Sequence, residues 1–164
     1  MKQPFEYIVQ QHGVSILRVC RALSDEHRAQ DAWSETFLAA LRAYPELDAE
    51  ANVQAWLVRI AHNKAIDELR RRPREQLHEE PGTLQSSPDP GPAEQAQNRE
   101  LWHLVSLLPE KQRLVVAYRY LGDLDYRQIA QILGGTSQAA RRASADGIAN
   151  LRRILGDENF LGDN

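Results

Sequence analysis

Apolar residues recur along this chain at three- and four-residue intervals, and no useful stretch alternates apolar with polar, so the pattern predicts helices throughout. In "FEYIVQQHGVSILRVCRAL" the apolar positions are Phe5, Ile8, Val9, Ile16, Leu17, Val19, Cys20 and Leu23, with Gly13 set to bend or divide the helix. "DEHRAQDAWSETFLAALRAY" gathers Ala32, Trp33, Thr36, Phe37, Ala40 and Leu41 on one stripe, and Pro45 closes it. A polar turn leads to "NVQAWLVRIAHNKAIDELRRR", whose stripe is Val53, Trp56, Leu57, Ile60, Ala61 and Leu69. Asn52 suits its N-cap, and the basic run 70–72 complements the dipole at its C-terminal end before Pro73.

Residues 73–97, "PREQLHEEPGTLQSSPDPGPAEQAQ", break the periodicity. They hold five of the eight prolines and almost no apolar side chain, too little burial to offset the entropy of ordering them. A flexible acidic linker is expected, with a helical domain on each side. Helical spacing then resumes in shorter pieces. One helix is predicted at about 98–107 with Leu101, Leu104, Val105 and Leu108 inward, and a second opens at Pro109 and stops at Gly122. A third is capped by Asp125 and ended by Gly134–Gly135, and a fourth is capped by Thr136. The fold class is therefore all-α, in two small helical domains. Residues 1–72 form the first, 98–156 the second, and 157–164 an acidic tail.

Charge sharpens this division. The net value of −3 over 164 residues argues against bulk electrostatic gripping of DNA. It is unevenly spread: residues 1–72 are balanced, 73–98 carry −4, 99–156 carry +4 and the tail −3. A basic C-terminal module is thus hidden in an acidic total, which suits contact with nucleic acid. The single cysteine, Cys20, has no internal disulfide partner and lies in an apolar run. No signal peptide is visible, and no apolar run approaches the ~20 residues of a membrane span. A cytoplasmic protein with no membrane contact of its own is expected.

Residues 125–150 have the form of a helix-turn-helix, whose second helix reads base edges with its N-terminal half. On that helix Ala140, Ser144, Gly147, Ile148, Leu151 and Ile154 share one face; Ser137, Gln138, Arg141, Arg142, Ala145 and Asp146 share the other. Arg suits a guanine edge or a phosphate, and Gln can pair with adenine. An ordinary three-helix bundle with a solvated Arg face is the alternative. Arg59, His62, Asn63, Ile66 and Arg70 recur at helical spacing with Trp56 one turn before, a combination that suits unstacked single-stranded bases. A solvated basic helix end with Trp56 in the core would give the same pattern. His62 has no second ligand at metal spacing. Asp31 and Glu35, one turn apart, have no nucleophile nearby and read as polar surface. No phosphate loop, Cys/His cluster or nucleophile signature is present, so neither enzymatic activity nor a cofactor is expected.

In this order the segments resemble the extracytoplasmic-function (ECF) sigma factors of RNA polymerase. "AQDAWSETFLAAL" resembles the family's A-E-D-x-x-Q-E-T-F helix. "AWLVRIAHNKAIDELRR" is similar to W-L-x-R-I-A-R-N-x-A-I-D-x-L-R-R, and "LPEKQRLVVAYRYLGDLDYRQIAQILG" to the start of the family's region four. The resemblance implies a promoter-specificity subunit without catalysis of its own, with region two in the first domain and region four in the second. It implies two contacts with core RNA polymerase: the clamp helices of the largest subunit and the flap of the other large subunit. By motif, Asp31, Ser34 and Glu35 would bind polymerase, with Phe37 in the core. Asn52, Trp56, Arg59, His62, Asn63 and Arg70 would meet the unpaired −10 element of promoter DNA. Thr136, Ser137, Gln138, Arg141 and Arg142 would meet the −35 element. Many relatives are held by an anti-sigma protein wedged between the two domains, which the long linker permits here. Gln30 and Ser34 stand where the motif has Glu and Gln, and Ala143 and Asp146 stand where Arg is common. Gln30 and Ser34 motivate a second reading, a stand-alone helix-turn-helix regulator, and a protein–protein adaptor or inhibitor of a sigma pathway is a third.

Overall fold

Three helices pack side by side in the first half of the chain: α1 Phe5–Leu23, α2 Glu26–Ala43 and α3 Val53–Arg71. These come from a computed structural model that describes the backbone of residues 2–24, 26–71 and 103–157, and their side chains except at 26, 68–71 and 157. The chain divides into two compact units, Met1–Pro90 and Gly91–Asn164. Among the described residues all regular structure is helical. The predicted linker at 73–97 lies outside them.

In the first unit the core is built from Ile8, Ile16, Leu17, Val19 and Cys20 of α1, Ala29, Trp33, Phe37 and Ala40 of α2, and Leu57, Val58 and Ala61 of α3, all buried. Burial pushes the Cys20 thiol up to about 12, so it stays protonated and unreactive at neutral pH. Gly13 neither bends nor divides α1, which runs unbroken from Phe5 to Leu23. Gly13 is instead a buried contact point: its carbonyl accepts a 2.9 Å hydrogen bond from Trp33 Nε1, so the indole N–H keeps a partner inside the core. Leu41 also departs from expectation. It is 51% exposed, as Leu38 is at 53%, because Ala29, Trp33, Thr36, Phe37 and Ala40 already fill the stripe gripped by α1 and α3. Leu41 falls seven residues after Ser34, on the outer stripe.

A short 3₁₀ turn, Tyr44–Glu46, follows α2. Lys2 ties it down, donating from Nζ to the carbonyls of Tyr44 and Pro45 at 2.7 and 2.9 Å. The Tyr44 hydroxyl in turn donates to the Gln3 carbonyl at 2.6 Å. Rings then succeed one another through the bundle. Trp33 lies 4.7 Å from Phe37, Phe37 6.4 Å from Phe5, Phe5 5.4 Å from Tyr44, and Tyr44 6.4 Å from Trp56.

The second unit uses shorter pieces. Helical residues 103–106 (α4) precede α5, Glu110–Val116. Pro109 stands at the N-cap of α5, one place earlier than its expected first turn. The helix widens into a π turn at Ala117–Leu121, closed by the Gly122 amide on the Ala117 carbonyl at 2.9 Å. Gly122 ends it as expected, yet the residue in the left-handed region is Asp123, at φ 59°. α6, Tyr126–Leu133, starts with a reciprocal capping box: the Asp125 carboxylate accepts from the Gln128 amide, and Gln128 Oε1 from the Asp125 amide. Gly134 and Gly135, at φ 86° and 91°, turn the chain into α7, Ser137–Asp157. α7 lies against α5 and α6, with Leu104, Leu108, Val116 and Leu151 in one apolar cluster and Ile148, Ile154 and Leu155 packed on it.

Candidate nucleic-acid interface

α7 separates its two faces cleanly. Ala140, Ala143, Ser144, Gly147 and Leu151 are buried, while Ser137, Gln138, Arg141, Arg142, Ala145 and Asp146 are exposed. The small inward residues let the helix sit close. A Cβ on Gly147 would come within 2.7 Å of Val116 Cγ2 and 3.4 Å of Gln112 Cβ, so close approach to α5 explains a mid-helix glycine that costs about 1 kcal/mol in propensity. Beside it Asn150 Nδ2 donates to Gln112 Oε1 at 2.6 Å. Ala143 belongs to this buried side, so its departure from the family's arginine takes nothing from the outer face.

Thr136 combines two duties. Its Oγ1 accepts the Ala139 amide at 3.0 Å, fixing where α7 begins and leaving the hydroxyl hydrogen available. The other orphan amides of the first turn point the same way, beside Ser137 and Gln138, and favour an anion. Arg141 is held as well. Its Cζ lies 4.9 Å from the centroid of the Tyr126 ring, over its face, and Arg119 lies over the same ring at 5.2 Å. The Tyr126 hydroxyl donates to Ser144 Oγ at 3.0 Å. Hydrogen bonding to Ser144 first, then to Tyr120 and Arg119, holds this phenol below its usual 10.0, against the opposing effect of burial. Sequence reasoning passed over Tyr126; the aromatic at the first position of α6, the helix that precedes the arginine helix, was the available signal.

In the first unit, Asn52, Trp56, Arg59 and Asn63 follow one another at three- and four-residue steps along α3. Asn52, Arg59 and Asn63 are exposed, Trp56 and His62 half-buried. Asn52 caps α3 through its Oδ1 on the Ala55 amide at 2.9 Å. Trp56 belongs partly to the packing against Tyr44 and partly to the outer face. Arg70 lies within α3, but its side chain is outside the described residues. The structure thus brings Asn52, Trp56, Arg59 and Asn63 onto one stripe, with His62 at its edge.

On α2, Asp31 and Glu35 are exposed and Ser34 is half-buried. Leu38 and Leu41 continue the same stripe, so the candidate partner face is amphipathic where the sequence suggested a polar one. Among the described residues no group of three His, Cys, Asp or Glu side chains could hold a metal ion, and no helix is long and apolar enough to cross a membrane.

Two family profiles match the chain: sigma-70 region 2 over residues 8–75, and sigma-70 region 4 over residues 98–147. The ECF RNA polymerase sigma factor RpoE of Cereibacter sphaeroides is 31% identical over 130 residues, 74% of this chain and 68% of that protein. The ECF RNA polymerase sigma factor SigM of Bacillus subtilis is 31% identical over 114 residues, covering 66% and 68%. Among solved structures, CnrH in complex with the cytosolic domain of CnrY matches with a TM-score of 0.68 at 22% identity, over 93% of this chain and 88% of that one. The sigma factor RpoE bound to the anti-sigma factor NepR, from Bartonella quintana, matches with a TM-score of 0.74 at 18% identity, over 93% and 96%. These last two share the fold. With both regions matched and relatives of this identity, the chain belongs to the ECF sigma factors of the sigma-70 family, which act in transcription initiation by RNA polymerase.

Proposed function

We propose that this sigma factor works through three faces. The outer stripe of α2, with Asp31, Ser34, Glu35, Leu38 and Leu41, docks on core polymerase. The α3 stripe, with Asn52, Trp56, Arg59, His62 and Asn63, captures the unpaired −10 strand. The outer face of α7, with Thr136, Ser137, Gln138, Arg141 and Arg142, reads the −35 element in the major groove. The observation that carries this reading is the division of α7. Every outward side chain of its first half is polar or small, and every inward one small enough to seat the helix closely on α5 and α6.

The chemistry fits the task. Opening DNA without nucleotide hydrolysis needs binding free energy from splayed bases, phosphates and an aromatic that replaces lost stacking, each about 1–3 kcal/mol. Trp56, half-buried and backed by Tyr44, offers a ring already fixed in place. Two modest half-sites on a tether gain strength when polymerase sets their spacing, so a net charge of −3 is compatible with the role. The protein acts in the cytoplasm as a binding subunit without catalysis of its own. An anti-sigma protein, the partner class carried by the Bartonella relative, is the regulator expected.

In vitro transcription with core polymerase tests the reading. Holoenzyme should give transcripts from promoters with defined −35 and −10 elements, and the isolated protein none. Absence of a stable core complex would overturn it. Tight duplex binding without polymerase would favour a stand-alone regulator; core or partner binding that survives deletion of residues 134–153 with no DNA contact would favour an adaptor.

A further inference from the structure

We infer that Tyr126 is a positioning residue for Arg141: its ring holds one face of the guanidinium so that the N–H edges are presented, already ordered, to the −35 element. The inference rests on the proposed −35 reading by α7.

Three observations carry it. First, Arg141 Cζ sits 4.9 Å from the ring centroid, inside the range where a cation is attracted by an aromatic face. Second, the ring is itself fixed. It opens α6 directly after the Asp125 capping box, and its hydroxyl donates to Ser144, whose side chain is buried on α7. The platform is thus fastened to both helices of the reading unit. Third, Arg141 remains exposed although its guanidinium is engaged. Stacking uses the face of a planar guanidinium, whereas bidentate recognition of a guanine or a phosphate uses its edges, so the two are compatible. A free arginine on a helix surface loses much rotamer freedom when it binds, and prior stacking removes part of that cost. Arg119, 5.2 Å from the same ring, donates from Nη1 to the Leu124 carbonyl and is anchored to the approach of α6. It places a second positive charge over the same ring.

The test compares Tyr126→Phe, Tyr126→Leu, Arg141→Ala and the double variant Tyr126→Leu/Arg141→Ala. In the free full-length protein, NMR relaxation of the Arg141 Nε–Hε group should show restricted motion in the wild type, weaker restriction in Tyr126→Phe, which keeps the ring without its bond to Ser144, and free motion in Tyr126→Leu. Equal mobility in all three overturns the positioning role whatever the DNA results. In holoenzyme, Tyr126→Leu should weaken −35-dependent transcription by about three- to tenfold, a range set by cation–π and rotamer terms. Tyr126→Phe, which keeps the ring but loses the bond to Ser144, should lose less than Tyr126→Leu, and the double variant should be no weaker than Arg141→Ala alone. If the two losses multiply, or if Tyr126→Leu strengthens promoter use, the ring does not serve Arg141 and the inference falls while the −35 reading stands. If Arg141→Ala itself has no effect on −35 dependence, it is the −35 reading that falls. Amide spectra of each variant show whether the second unit remains folded, and Tyr126→Phe keeps the question answerable if Tyr126→Leu does not.

Discussion

The two units build their candidate nucleic-acid faces by opposite means. The first relies on large side chains: a run of rings from Trp33 through Phe37, Phe5 and Tyr44 to Trp56, in which the last ring serves both packing and the candidate −10 face. The second relies on small ones: Ala140, Ala143, Ser144 and Gly147 bring α7 close, and on its outer face Arg141 touches a neighbouring helix only through the Tyr126 ring. Where packing and recognition share a side chain, substitution confounds them. Where different faces carry them, each can be changed separately.

Variants can break or sharpen this contrast. Trp33→Ala should have the largest effect, destabilising the first unit by about 3–5 kcal/mol through the lost ring contacts and the lost bond to Gly13. Amide hydrogen exchange should show protection falling in α1–α3 and persisting in α5–α7. Gly147→Val should reverse the pattern, costing the second unit about 3 kcal/mol because the new side chain meets Val116 and Gln112. A protein that lost protection equally in both units in either experiment would deny the division. Arg141→Ala should cost the second unit no more than its one ring contact, about 0.5–1 kcal/mol, and weaken −35-dependent transcription by about 1–3 kcal/mol of binding, read as the loss of promoter occupancy by holoenzyme. Thr36→Val should stabilise the first unit by about 1 kcal/mol in thermal unfolding, since the Thr36 hydroxyl is buried without a hydrogen-bond partner. Asp146→Arg should have the smallest effect. It should strengthen DNA binding by about 0.5–1 kcal/mol, a single phosphate contact, and blur preference among −35 sequences. Weaker binding would mean that the helix faces the groove differently.

Helix existence, the inward face of α7 and the caps at Asn52, Asp125 and Thr136 were all legible because each depends on local spacing and on short-range hydrogen bonds. The motifs in "AWLVRIAHNKAIDELRR" and "LPEKQRLVVAYRYLG" carried the family. What escaped depends on which neighbour reaches an element. Gly13 signals a bend by propensity but serves as an acceptor for an indole on another helix. Leu41 falls within a plausible apolar stripe, yet α1 and α3 cover only part of that arc. The π turn at Ala117–Leu121 has no spacing signature, and the Tyr126–Arg141 stack joins residues that only the turn at Gly134–Gly135 brings together. Likewise, nothing in the order of residues announces that Lys2 fastens the turn after α2.

That same glycine turn changes how a scan of this region must be interpreted. A Cβ at Gly134 or Gly135 would meet nothing within 4 Å, yet both residues hold positive φ values that L side chains rarely adopt. Substituting alanine there perturbs the angle between two helices before it perturbs any surface. A loss of promoter binding at these two positions would therefore measure geometry, and a D-alanine placed at either by chemical synthesis should restore what L-alanine removes.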